Sequence, residues 1–252
     1  MMPSYRIIVI PKDHPRYRSL TTRERLAEMV QQGLVTPTGL ISHGRGEAFD
    51  YLMGERSLEP SLTAEKAAVA YLLNAKNPVV CVNGNAAALD AERLIELAGK
   101  VNAKIEVNIF HRTEERMKKL IGYMKEKGAS DVLGEFPNER IPGLSSDRAL
   151  CTREGIFDSD VILVPIEDGD RAEALVKMGK VVISIDLNPL SRTSVCASVS
   201  ISDEMSRALE NMIGFVNEIS KNEINRIITE FNNPKNRQDL VDMICNNLAG
   251  SK

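Results

Sequence analysis

The chain has 252 residues, 43% hydrophobic content and a formal net charge of −3, enough for one large domain or two small ones with a buried core. Interspersed charges, no tryptophan and only 4% aromatic residues argue against a nucleic-acid footprint or a base-stacking platform, and no apolar run is long enough for a bilayer. Ile7-Ile8-Val9-Ile10 is stopped by Pro11, Lys12 and Asp13 rather than continuing as a signal peptide, while four scattered cysteines without CxxC spacing argue against zinc or a disulfide framework and for a reducing, cytoplasmic setting.

No internal repeat or low-complexity linker interrupts the sequence. It reads as one α/β domain over 1–252: a mainly helical part at 1–78, a βα sheet core at 79–203 and a helical tail at 204–252. Thr21-Thr22-Arg23-Glu24 has capping-box spacing, and Leu26, Met29 and Val30 follow as a helical apolar face. Pro60 and Ser61 open a second helix whose buried side is Ala67, Ala68, Tyr71 and Leu72. Between the two lies Gly39 to Tyr51, of which His43 to Tyr51 is read as a polar loop. From Val79 the rhythm becomes strand, loop, helix. Strands are predicted at Val79–Val82, Lys104–Phe110, weakly at Asp131–Leu133, then at Val161–Val164, Val181–Ile185 and Val199–Ile201. Pro137 to Ser146 is read as a loop, and Asp203 as the cap of the helix that follows it. After Glu218 the tail is helical, with Pro234 separating two helices suited to packing and assembly. Strands alternating with helices imply a mostly parallel sheet flanked by helices.

Loops after parallel strands share one edge of the sheet, where ligands of open α/β folds bind. Asn83-Gly84-Asn85 joins a strand to a helix N-terminus, a favourable place for phosphate, although an ordinary turn uses the same residues. No GxGxxG or Walker-type sequence is present, so a phosphate cradle here is nonstandard. In Glu167-Asp168-Gly169-Asp170-Arg171, Asp170 and Glu173 have capping-box spacing. That leaves Glu167, Asp168 and Arg171 free for other work, including hydrated magnesium. Asp186 to Thr193 offers a carboxylate, an amide, a guanidinium and two hydroxyls at a strand's carboxyl end. A plain strand-ending turn would use the same Asp, Asn and Pro. His43-Gly44-Arg45-Gly46-Glu47 places a guanidinium suited to phosphate or carboxylate between two glycines. His14 and His111 lack partners in sequence and read as structural. These residues argue for an enzyme of anionic, phosphate-bearing substrates.

Six blocks together resemble a known family: His14-Pro15-Arg16-Tyr17; Gly39 through His43-Gly44-Arg45-Gly46-Glu47-Ala48-Phe49-Asp50-Tyr51-Leu52; Val82-Asn83-Gly84-Asn85; Arg112-Thr113-Glu114-Glu115-Arg116; Glu167 to Arg171; and Ile185-Asp186-Leu187-Asn188-Pro189-Leu190-Ser191-Arg192. In this order they are similar to the archaeal 4-phosphopantoate–β-alanine ligases, or phosphopantothenate synthetases. The resemblance reaches from near the N-terminus to about Asp203. It implies a Rossmann-like fold, a homodimer, and an ATP-dependent ligation in coenzyme A biosynthesis. In that reaction 4-phosphopantoate is activated as an acyl adenylate, and β-alanine attacks to give 4′-phosphopantothenate, AMP and pyrophosphate. It also carries nucleotide-binding positions onto Arg23, Arg45, Asp186, Leu187, Asn188, Arg192 and Thr193, and more loosely onto Asp203 and Glu204. Thr193 stands where serine is expected, and the hydroxyl is kept. With that chemistry, Arg45, Arg192 and Arg23 meet phosphates, and Asp186 or Asn188 binds ribose or adenine. Asn83, Gly84, Asn85, Arg112 and Arg171 serve 4-phosphopantoate. His43, Arg45 and Asp168 are the catalytic candidates, with Asp168 or Glu167 for magnesium or the β-alanine ammonium. The alternatives are a nucleotide-binding regulator without turnover, and an ATP-dependent ligase of another acid or amine.

Overall fold

A computed structural model describes residues 9–250; the isoleucine-rich run read at residues 7–10 falls partly outside them. The N-terminal part forms α1 (Tyr17–Gln31), α2 (Pro37–Met53) and α3 (Glu59–Asn74). Strands and helices then alternate: β1 (Pro78–Val82), α4 (Gly84–Lys100), β2 (Lys104–Val107) and α5 (Glu114–Glu126). A two-stranded antiparallel ribbon, β3 (Glu139–Arg140) with β4 (Leu150–Cys151), precedes β5 (Val161–Pro165) and α6 (Gly169–Lys177). The core ends with β6 (Val181–Ile185), α7 (Arg192–Cys196), β7 (Val199–Ile201) and α8 (Met205–Glu218), and the tail is α9 (Lys221–Glu230) and α10 (Asn233–Gly250).

Five strands pair in parallel in the order β2-β1-β5-β6-β7. This is the mostly parallel, helix-flanked sheet expected from the alternation. Successive strand residues point to opposite faces, and both faces are buried. Val80, Val82, Leu163, Ile183 and Ile185 join the large core that includes residues of α3, α4 and α8. Val79, Cys81, Ile162, Val164 and Val182 join a smaller one with Ile141, Ile156, Ala172 and Leu175. That double burial is why these strands read as continuous apolar runs. The chain steps from β1 outward to β2 and returns to β5 on the other side of β1. The strand order therefore reverses between β1 and β5, the place where such sheets open a crevice. In the tail, Leu240 and Ile244 of α10 close a third cluster with Met53 and Leu58. Asn233 holds α10 to the sheet by accepting from Ser200 N (2.8 Å) and donating to the Ala197 carbonyl (2.9 Å).

Several expectations are corrected. The stretch His43–Tyr51 lies within α2, not in a loop: Pro37 starts the helix and Gly54 closes it in a left-handed cap. Gly44 and Gly46 each cost about 1 kcal/mol relative to alanine in a helix, a bias that tertiary contacts override. β2 ends at Val107 rather than Phe110, because the Asn108 amide donates to the carbonyls of Arg148 and Leu150 and ties the chain to the ribbon. Asp131–Leu133 meets the sheet only through a bridge from Leu133 to Glu106, and the loop read at Pro137–Ser146 contains β3. Neither expected capping box forms. Thr21 lies a turn inside α1 and donates to the carbonyls of Tyr17 and Arg18. The cap position of α6 falls to Asp168 without a side-chain bond, and Glu173 pairs with Lys177. Helix α8 is capped by Glu204, not Asp203.

Candidate active site

A cavity of about 350 Å³ opens at the β1–β5 reversal. Its base is the first turn of α4, contributed by Asn83, Gly84 and Asn85. Asn83 caps that helix by accepting from Ala86 N (3.0 Å). Its amide meanwhile donates to the carbonyls of Pro165 and Ile166 (2.9 and 3.0 Å), stapling the end of β1 to the end of β5. Gly84 has no room for a side chain, since a Cβ would sit 2.3 Å from the Leu34 carbonyl oxygen. The amide of Asn85 donates to the Gly39 carbonyl (2.9 Å). The side chains of this loop thus build the cavity, and its base is a helix N-terminus, whose free N–H groups make a place that favours an anion.

One wall is α2, with Thr38, Ser42 and Arg45 all lining the cavity. The spacing i, i+4, i+7 puts them on one helical face. Opposite lie Ile109, Phe110, His111 and Arg116 from the segment after β2, and Ile166 and Asp168 after β5. Ile166 has φ of +51°, a conformation costly for a β-branched residue and concentrated at working sites. Arg116 donates to the carbonyls of Gly33, His111 and Leu34, and burial holds its guanidinium below the usual arginine range.

The remaining wall is a buried charge triad. Glu167 takes the guanidinium of Arg148 on one oxygen and that of Arg171 on the other. Arg148, 4% exposed, lines the cavity. It also donates to the Asn108 carbonyl (2.8 Å) and lies 3.8 Å from the Asp168 carboxylate. Its Nε and the Nη2 of Arg171 are buried without a hydrogen-bond partner. Burial, then the charge of Arg171, pushes the Arg148 pKa down to about 10, which still leaves it cationic at neutral pH. Two guanidinium groups thus share one buried carboxylate, and the half-exposed Asp168 carboxylate offsets the second positive charge.

The residues expected to hold the nucleotide lie on the other side of α2 and along the ends of β6 and β7. Arg23 grips Glu47 through Nε (3.1 and 3.0 Å) and Nη2 (2.8 Å), and the Tyr51 hydroxyl joins both. Burial raises the Glu47 pKa, but hydrogen bonds from Arg23 and Ser19 outweigh it and hold the carboxyl below its usual range. Burial lowers the His43 pKa from its ordinary range, against the opposing charges of Glu47 and Glu204. Gly46 faces Leu187, whose Cδ1 lies 3.4 Å from where a Cβ would stand. Asp186 folds its own loop by accepting from Asn188 N (3.0 Å) and Ser191 Oγ (2.5 Å), and Asn188 accepts from Leu190 N (2.9 Å). Thr193 is buried and donates to the Glu167 carbonyl (2.7 Å), joining α7 to the cavity wall. The Arg192 side chain is 75% exposed, 3.7 Å from Glu173.

Of the residues singled out by sequence, the structure gathers Arg45, Asn83, Gly84, Asn85 and Asp168 into the cavity. It places Arg23, His43, Leu187 and Glu204 around α2. Arg171 is fully buried on Glu167 and presents nothing to the cavity. Arg112 does not line it either, donating instead to the carbonyls of Gly134 and Glu135. Asp203 is buried and paired with Arg207, and Glu204 spends its carboxylate on the N–H groups of Ser206 and Arg207. Sequence reasoning does not find Arg116, Arg148 or Ser42 as lining residues, and His111, read as structural, lines the cavity too. A signal for Arg116 exists in Thr113, whose cap of α5 fixes the helical register. Arg148 has none, being separated in sequence from its partner Glu167.

The sequence has close relatives. A family model described as phosphopantothenate/pantothenate synthetase matches residues 60–247. A protein of Methanosarcina mazei named 4-phosphopantoate–β-alanine ligase is 51% identical over 242 residues, covering 95% of each chain. Proteins of the same name from Thermococcus onnurineus and Methanospirillum hungatei are each 49% identical, covering 93% and 94% of this chain and 92% and 96% of their own. The match spans the sheet, the cavity and the tail, and the chain belongs to the phosphopantothenate/pantothenate synthetase family.

Proposed function

We propose that this protein is an ATP-dependent ligase that joins 4-phosphopantoate to β-alanine, giving 4′-phosphopantothenate, AMP and pyrophosphate in coenzyme A biosynthesis. The observation that carries the reading is the cationic cavity at the β1–β5 reversal, with Arg45, Arg116, Arg148 and the α4 N-terminus converging on one volume. A substrate bearing a phosphate at one end and a carboxylate at the other suits such a lining, because guanidinium forks and helix N-termini both favour oxyanions. The names of the relatives specify that acid and that amine.

In this reading ATP lies along the ends of β6 and β7, against Arg23, His43, Leu187, Asn188 and Arg192. Arg45, on the helix between the two regions, meets the charge that develops when the carboxylate attacks the α-phosphorus. The protein aligns the two reactants and excludes water; no covalent nucleophile on the enzyme is needed. Asp168 has a half-exposed carboxylate at the cavity, and among the described residues no three acidic, histidine or cysteine side chains are grouped so that they could hold a metal ion. That donor set fits a magnesium ion held mainly by nucleotide phosphates and water, with one carboxylate from the protein. Magnesium would supply charge neutralisation on the phosphates. We assign the enzyme to the cytoplasm as a homodimer; four free cysteines, two of them buried, suit a reducing compartment.

Incubation with ATP, magnesium, 4-phosphopantoate and β-alanine is expected to yield AMP and 4′-phosphopantothenate. With ¹⁸O in the 4-phosphopantoate carboxylate, label should enter AMP. ADP with labelled inorganic phosphate would replace the adenylate route by an acyl-phosphate one, and absence of any turnover would leave only a nucleotide-binding role.

A further inference from the structure

Helix α2 carries Arg45 and Ser42 into the cavity and His43 and Glu47 toward the ends of β6 and β7, yet it is poorly rooted in apolar packing. Its only buried side chains are Asp50 and Met53, and Asp50 is a carboxylate. What holds Asp50 is Arg207 of α8, which donates to both its oxygens from Nη1 (3.2 Å) and Nη2 (2.5 Å). The same guanidinium reaches Asp203, at the end of β7, from Nε (3.0 Å) and Nη2 (2.6 Å). One side chain therefore joins α2, α8 and the sheet.

The joint is braced from behind. Asp203 also accepts from Ser57, in the connection between α2 and α3, and from Glu204 N. Asn211, one turn beyond Arg207, donates to Ser57 Oγ (3.0 Å) and to Glu65 Oε2 (2.9 Å). Glu65 and Asp203 are almost wholly buried. None of these groups lines the cavity, and a network of this size around a single guanidinium exceeds what capping α8 requires, since Glu204 already does that. Only an arginine can serve two carboxylates with one planar fork; a lysine is a point charge.

We propose that Arg207 is a positioning residue for the reaction: by gripping Asp50 and Asp203 together it sets the seat of α2, and through α2 the placement of Arg45 over the cavity. This rests on the ligase reading above for what Arg45 does, but the seating of α2 is measurable without turnover. The consequence is specific. Loosening the grip should misplace Arg45 while leaving the cavity's other walls, which belong to the sheet and α4, able to bind the acid.

The test compares Asp50→Asn, Asp50→Glu and Arg207→Lys with the wild type by amide hydrogen exchange of the ligand-free protein and by steady-state kinetics. Asp50→Asn leaves the Arg207–Asp203 pair in place, so the α8 side keeps its structure. Exchange in α2 is expected to rise by about tenfold or more while α3, α4 and α8 stay protected, the mark of local rather than global opening. For the same variant kcat should fall by roughly 10- to 100-fold, the scale of a misplacement of about 1 Å, with KM for 4-phosphopantoate changed by less than about threefold. Asp50→Glu should recover part of both effects, and Arg207→Lys, which also loses the fork on Asp203, should loosen α2 and lower kcat at least as much, with exchange rising in the first turn of α8 as well. Loss of protection spread evenly over the sheet, or a loosened α2 with unchanged kcat, would overturn the proposal. A wild type that does not turn over would remove the ligase reading, and the exchange pattern alone would then decide whether Arg207 seats α2.

Discussion

Arg45 is exposed on α2 and lines the cavity, so its removal tests chemistry with little risk to the fold. Arg45→Ala is expected to lower kcat/KM by at least ~10², the usual cost of losing one preorganised donor to developing charge. Circular dichroism should not change, because alanine is the better helix former; normal turnover would take Arg45 out of the mechanism. Glu65 makes the opposite case, a buried carboxyl that touches no cavity. Burial, then the neighbouring charge of Asp203, pushes its pKa up to about 9 from an ordinary 4.5. A raised folded pKa means that the stability from holding this proton is complete below about pH 4.5 and is lost as pH climbs through 9. Glutamine mimics the protonated form, so Glu65→Gln should flatten that part of the profile. Between pH 7 and 9 its stability relative to wild type should improve by up to ~2 kcal/mol, given about 1.4 kcal/mol per unit for one proton. Parallel denaturation curves at the two pH values would show that Glu65 ionises normally. Residue type and position relative to a strand end make Arg45, Asn83 and Asp168 legible in the sequence. Arg148 and the Asp50–Arg207 pair are not, because each depends on partners separated in sequence by many residues and brought together only by the sheet.

At the scale of elements, α2 is where local sequence misleads most. Two glycines and several polar residues look like a loop because glycine disfavours helix locally, whereas the helix is set by Pro37, the Gly54 cap and contacts outside the segment. Strands β1, β5, β6 and β7 are legible because burial on both faces leaves an apolar run with little ambiguity. β2 reads too long because nothing in its sequence announces that Asn108 turns to the ribbon. The seam between α4 and the α1–α2 connection is equally demanding, since Gly84 lies against the Leu34 backbone. Gly84→Ala cannot be relieved by a rotamer and should push the first turn of α4 outward. A cost of about 1–3 kcal/mol is expected, as for other overpacked sites, or roughly 3–10 °C in Tm for a chain of this size. Calorimetric titration should show weaker 4-phosphopantoate binding in the same variant. An unchanged Tm would mean that the seam is looser than its geometry.

For the molecule as a whole, the parallel sheet and its ligand-bearing edge follow from the alternation of strands and helices, and the reversal between β1 and β5 locates the cavity once strand order is known. Strand order itself is not written in local periodicity; it comes from which faces can be covered together. Among the described residues no helix is long and apolar enough to cross a membrane, as the short apolar runs suggest. The cavity walls come from five stretches of chain, at Val35–Arg45, Asn83–Asn85, Ile109–Arg116, Arg148 and Ile166–Asp168. A molecule seated there is a keystone: it meets α2, the loops that follow β1, β2 and β5, the first turns of α4 and α5, and the ribbon segment at once. No one of these pieces can open without releasing it, so its binding energy should protect the sheet as a unit and not a single loop. At 100-fold excess over Kd, 4-phosphopantoate is expected to add about 2.7 kcal/mol, or roughly 5–10 °C of Tm. Slowed hydrogen exchange should then reach β6 and β7, whose ends lie away from the cavity, as well as β1, β2 and β5, whose following loops line it.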